Sequence, residues 1–236
     1  MEDKPPPLWP GTATTPITGG ETRRYRHLES GKAEWNPVSQ SMDIYELKKL
    51  LATLYEQDRT EHAEVPAVGS EEYRRLRSRD ADRRAEAKKA LALLRQMSAV
   101  AADDLFHAAW LFNHGDSPGE AHQAHEWARE AVDQGSTRAR WLAAAAYDRW
   151  MMYEGRAQKY GTQFVPDGRR YRLWDVDPAT TDEMRAEWDV PPLQTQLERA
   201  DTMSRDLPQP PMGEAPYWLR KAIQRWADEA GESPTD

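Results

Sequence analysis

Two adjacent charges, Asp148 and Arg149, interrupt a stretch otherwise dominated by Ala, Trp, Met and Tyr. A run of hydrogen-bonding side chains follows: Gln158, Tyr160, Thr162 and Gln163, around Gly161. With Trp141 at zero on a helical wheel, Ala145, Asp148 and Met152 fall within about 40° of it. Leu142 and Arg149 share a flank, and small or apolar residues fill most of the remaining circumference. A helix apolar all round is normally buried. A carboxylate on it must be paired, or its pKa rises. One reading is structural: an ion pair that pins this helix to a neighbour. The other is chemical: Arg149 forks onto a carboxylate or phosphate and the amides read a polar edge. Residues 140–163 are therefore the expected working centre. Arg140, Gln158, Tyr160, Gly161, Thr162 and Gln163 are the candidate substrate-binding residues.

Four histidines lie within 19 positions: His107, His114, His122 and His125. His107 and His114 share a helix face, as do His122 and His125. Three readings stay open. The first is a set of surface or helix-end histidines. The second is a divalent metal at these four, with Asp116 as a further ligand, although their spacing matches no standard metal motif. The third is acid–base work by His114 near Asp116, facing Asp148 and Arg149. His114, Asp116, Asp148 and Arg149 are the candidate catalytic residues. No nucleophile elbow or phosphate-binding glycine loop is present, and no cofactor is expected.

The elements that must position these groups follow from apolar spacing. Residues 42–62 read as a helix through Ile44, Leu47, Leu51, Leu54 and Tyr55. Ser70 caps a long helix whose charged first half is expected to project from the body or lie on its surface. Residues 103–114 form a short apolar helix ended by Gly115. Ser117-Pro118 opens another, up to Gly135, and Ser136 is expected to cap the central helix, which stops at Gly155. Such short turns force neighbouring helices to pack antiparallel. Residues 163–174 read as a β-hairpin around Asp167-Gly168. Thr180 and Glu183 have capping-box spacing, so a short helix is expected over 182–188. Helices from Pro191-Pro192 to about Arg205, and from Tyr217 to Ala230, complete the chain. The fold class is mainly α: antiparallel helical hairpins, repeat-like, with one small β-hairpin.

Composition sets the outer limits. The 236 residues carry a formal net charge of −8, ten tryptophans and no cysteine. Disulfides, thiolate metal sites and a cysteine nucleophile are excluded. No basic stripe interleaved with aromatics suggests nucleic acid. No apolar run reaches the ~20 residues that span a bilayer. The opening Met-Glu-Asp-Lys lacks a basic-then-apolar leader, so the expected location is cytoplasmic. Residues 1–41, rich in Pro and Gly, read as a tail that Trp9 or Trp35 could dock. Residues 42–230 read as a single helical domain, and 231–236 as a second tail.

Asp148-Arg149, Gly155, Gln158 and Tyr160-Gly161-Thr162-Gln163 resemble the signature of a widespread bacterial domain family of unknown function. That family's upstream Gln-His-Ala-Asp element is met here by Asn113-His114-Gly115-Asp116, which differs at two of the four positions. Its N-terminal Asp/Gln…Arg element is loosely echoed by Gln57-Asp58-Arg59. The similarity covers residues 90–200. It implies no activity, only that His114, Asp116, Asp148, Arg149, Gln158 and the Tyr-Gly-Thr-Gln loop gather in one pocket. Ala-Arg-Trp-Leu-Ala after a glycine turn is also locally similar to Sel1-like helical repeats. The function expected is acid–base hydrolysis or rearrangement of a small polar metabolite or peptide. The alternative is a non-catalytic helical scaffold that binds a peptide or protein, through the N-terminal tail or the C-terminal helix.

Overall fold

The structure, a computed structural model, describes residues 42–231. The expectations for residues 1–41 and 232–236, Trp9 and Trp35 included, lie outside the described residues. Five helices build the body: α1 (Ile44–Glu61), α2 (Glu71–Gln96), α3 (Ala102–Asn113), α4 (Pro118–Asp133) and α5 (Ala139–Tyr153). The two strands of an antiparallel hairpin follow, β1 (Phe164–Pro166) and β2 (Tyr171–Leu173), with Phe164 opposite Leu173. Then come α6 (Asp182–Ala186), α7 (Leu193–Asp206) and α8 (Tyr217–Ala230). The fold is thus mainly α with one small hairpin, as the periodicity indicates. Among the described residues, no helix is long and apolar enough to cross a membrane.

The starts of the body helices are chemically marked. Asp43 and Glu46 form a reciprocal capping box on α1. Ser70 caps α2 and Ser117 caps α4, with Pro118 at the first helical position. Leu51, Leu91, Leu94, Leu105, Leu111 and Leu142 join α1, α2, α3 and α5 in one core. A second core, around Met152, Val165, Trp174, Leu219 and Trp226, docks α8 against the hairpin and the end of α5.

Three expectations are corrected. The charged half of α2 does not project: Asp80, Arg83 and Arg84 are buried. They occupy the same 3–4 spaced face as Leu76, Ala87 and Leu91, and pairing with neighbouring helices makes that burial tolerable. Ser136 does not cap α5; the residue at that position is Arg138, and no side-chain cap bond forms. The cap of α6 is Thr181, not Thr180, and its hydroxyl accepts from the Met184 N–H.

Candidate functional site

Asp148 and Arg149 are consecutive on α5 and face different neighbours. The Asp148 carboxylate turns toward the 158–163 loop. It accepts backbone N–H bonds from Lys159 (2.8 Å), Tyr160 (2.9 Å) and Thr162 (3.0 Å), and the Thr162 hydroxyl at 2.8 Å. Burial pushes its pKa up to about 6, against the pull of these donors. The rest of the loop is similarly closed on itself. Gln158 donates to the Gln163 and Trp174 carbonyls and accepts from the Gln163 N–H. Gln163 donates to Ala145 O and to Thr162 Oγ1. Gly161 takes a positive φ of 86°, and Arg185 donates to Tyr160 O from below. Burial raises the Tyr160 phenol to about 12, with Asp148's charge adding to the rise, so this hydroxyl stays protonated near neutrality. The side chains of Asp148, Gln158, Thr162 and Gln163 thus spend their hydrogen bonds inside the protein. No hydrogen bond or ion pair among the described residues links this loop to His114.

A second polar group lies where α1, α2 and the α3–α4 turn meet. His114 is fully buried, and its Nδ1 lies 2.7 Å from Asp58 Oδ2. The oxygen sits off the ring N–H axis, so the contact is close without being a well-aligned hydrogen bond. The same Asp58 oxygen accepts the Trp110 indole N–H at 3.1 Å. His62 stacks near His114, ring centroids 4.3 Å apart, and its Nε2 donates to Asp80 at 3.2 Å. Asp80 is also held by Arg77 at 2.6 Å and by Arg83 at 2.5 Å. Above this group Arg77 bonds both the His114 carbonyl and Asp116, and Arg84 pairs with Glu120 at 2.8 Å.

Several of these buried atoms have no hydrogen-bond partner among the described residues. They include Asp58 Oδ1, His62 Nδ1, His114 Nε2 and both amide atoms of Asn113. Native interiors rarely leave such atoms unpaired, and each costs about 1–3 kcal/mol. Arg149 adds a larger anomaly. Its side chain faces the turn, it is 3% exposed, and no carboxylate lies within ion-pair distance among the described residues. Its polar neighbour is the Tyr153 hydroxyl, which itself donates to Gly115 O at 2.9 Å. Removing one partner of a buried ion pair costs on the order of 3–5 kcal/mol, which sets the scale for a charge left alone.

Electrostatics sharpen the picture. Burial pushes the His114 imidazole below its ordinary pKa, outweighing Asp58, and the charges of His62 and Arg149 push the same way. Burial opposes ionisation of Asp58, but His114 and His62 hold its pKa below the usual carboxylate value. A neutral ring cannot lend a full charge, so at neutral pH the Trp110 N–H and Arg83, 3.5 Å from Oδ1, help sustain the carboxylate.

The other candidates fall elsewhere. Asp116 sits at the rim, its side chain 38% exposed, held by Arg77 and 3.5 Å from Arg84. Arg140 is half-buried near the start of α5. His107 stacks on Tyr55, His125 contacts Ala143 O through Nδ1 at 2.9 Å, and His122 packs half-exposed beside Trp150. These three do not converge with His114. Asp58, His62 and His114 each offer one ligand atom, all within 4.8 Å of one another. Two ligands on one tetrahedral ion stand roughly 3.4 Å apart, given bonds of ~2.1 Å. The 2.7 Å approach of Asp58 to His114 is shorter than that. That pair of atoms therefore does not have the spacing of two ligands on one ion.

The sequence reading missed His62, Asp80, Arg77, Arg83 and Arg84, and met Asp58 only as part of a loose echo. A signal existed. Asp58 and His62 continue the core spacing of Leu51, Leu54 and Tyr55. Comparison with protein-family models, with curated proteins and with solved structures gives no match. The family likeness of the Tyr-Gly-Thr-Gln loop therefore rests on its motif residues alone.

Proposed function

We propose that this protein is an enzyme acting on a small polar molecule by acid–base chemistry, with His114 as the proton-transfer group and Asp58 as its positioning carboxylate. The observation that carries this reading is the His114 ring itself: buried, 2.7 Å from a carboxylate at Nδ1 and unpartnered at Nε2. A carboxylate this close to Nδ1, even off the N–H axis, favours the hydrogen on that nitrogen and leaves the other with a free lone pair. That is the division of labour in which a carboxylate fixes the tautomer and the far nitrogen takes a proton. The lowered pKa keeps the ring neutral, and so basic, at neutral pH. Hydrolysis or rearrangement of a metabolite or peptide fits this equipment. The Asp148 loop then serves as a rigid backing that holds α5, not as part of the chemistry. The alternative, a helical scaffold that binds a peptide or protein, gives the unpartnered atoms of the group no purpose.

The test is turnover of a panel of small esters, dipeptides and phosphoesters by the wild-type protein, His114→Gln and Asp58→Asn. Losing a general base lowers rate by about 10²–10⁴-fold. Both variants should lose turnover while circular dichroism shows an intact helical fold. Wild-type levels of turnover in His114→Gln, or no turnover by the wild type across the panel, would overturn the proposal.

A further inference from the structure

We infer that Arg149 is the receptor for an oxyanion, the carboxylate or phosphate of the molecule on which His114 acts. The inference rests on the function proposed above and names the class of its substrate.

Three observations converge on it. Arg149 is a guanidinium in the interior with no carboxylate within ion-pair distance among the described residues, and its Nε is unpartnered. Every other arginine lining the group is already matched: Arg77 and Arg83 by Asp80, Arg84 by Glu120. A guanidinium stays charged at neutral pH even where burial works against it, so the charge here cannot be relieved by losing a proton. What Arg149 lacks is an anionic partner of its own.

The second observation is position. Arg149 acts through space on His114, and its nearby hydroxyl, Tyr153, bonds the carbonyl of Gly115 in the adjoining turn. His114 and Arg149 are therefore both tied to the α3–α4 turn, the one at its start and the other through Tyr153. The third is Asn113, next in chain to His114, fully buried with both its donor and its acceptor unused. A planar fork of N–H groups suits a carboxylate or a phosphate, and the unused Asn113 amide is one more polar group without a partner in this part of the interior. Among the described residues, Asp116 is a carboxylate that acts on Arg149 through space. It is partly exposed at the rim and is committed to Arg77, so it does not neutralise Arg149 at close range.

The experiment is thermal unfolding and titration calorimetry with inorganic phosphate and with acetate, each against sodium chloride at equal ionic strength. At ten times the dissociation constant, the bound anion should raise the melting temperature by about 4 °C. Arg149→Met should abolish the response, and Arg149→Lys should retain a weaker one, at least tenfold lower in affinity. Phosphate and acetate run separately distinguish the two anion sources. If Arg149→Met does not fold, Arg149→Lys and the wild-type titration still decide. No response of the wild type beyond chloride, or an undiminished response in Arg149→Met, would overturn the anion site. In that event turnover that still depends on His114 leaves the proposed enzyme standing. An Arg149-dependent anion response with no turnover supports the receptor and removes the enzyme.

Discussion

At Asp148 three backbone N–H groups and one hydroxyl converge on two oxygens. Asparagine is the same size but would turn an NH₂ toward donors. Asp148→Asn should therefore destabilise the protein by about 2–3 kcal/mol, because at least one buried N–H loses its acceptor. Urea unfolding measures this, and a midpoint within error of the wild type would contradict it. The neighbouring residue behaves otherwise. Arg149 has no carboxylate to lose, so Arg149→Met removes a buried charge and fills its volume with apolar atoms. That exchange should leave stability unchanged or raise it in anion-free buffer. Two adjacent charges on one buried helix thus have opposite relations to folding: one is a peg for a loop, the other a strain that a ligand would relieve. In sequence they are indistinguishable, since both are polar residues on an apolar helix. Only the partners, which come from 11 to 14 residues downstream for Asp148, separate them.

The α3–α4 turn is the element on which the site depends. Its carbonyls are gripped by Arg77 from α2 and by Tyr153 from α5, while Glu120 reaches back to the Asp116 N–H. A Cβ on Gly115 would lie 2.4 Å from the Glu120 Cβ and 2.8 Å from Phe112 O. Neither is the loose end of a side chain, so the turn itself must move. Gly115→Ala should cost about 1–3 kcal/mol and displace His114 from Asp58. Its melting temperature should fall and its His114 ring resonances should shift, and a variant with wild-type values of both would refute the tight turn. The helices themselves were legible because Leu47, Leu51, Leu54 and Leu91, Leu94 repeat at helical spacing. The charged half of α2 was not, because Asp80 and Arg83 at core positions look like surface charges until their partners on α1 are known. His114 was legible through its place beside Asp116. Asp58 and His62 do continue the core spacing of α1, but that spacing marks burial alone, and the partners that make a group of them come from α2 and α3.

For the whole molecule the buried group makes stability depend on pH in a defined direction. His114 has a folded pKa below its ordinary 6.5, so its contribution is complete above 6.5 and is lost as pH falls toward the folded value. His107 and His125, also depressed chiefly by burial, act in the same sense. Asp58 and Asp80 have folded pKa values below 3.8, so their contribution is complete above 3.8 and is lost only in stronger acid. Asp148 works the other way. With its folded pKa near 6, the folded state holds an extra proton between 3.8 and about 6, and acidification across that range favours folding. The sum is a stability that declines on acidification from pH 6.5 and is partly flattened by Asp148 below pH 6. Each proton not bound in the folded state steepens the curve by at most about 1.4 kcal/mol per pH unit. His114→Gln removes one such proton. Urea midpoints taken from pH 5 to pH 8 should therefore show a shallower acid limb in His114→Gln, with the residual slope coming from His107 and His125. An unchanged slope would mean that His114 titrates alike in the folded and unfolded chains. That would remove the neutral, buried imidazole on which the proposed chemistry depends.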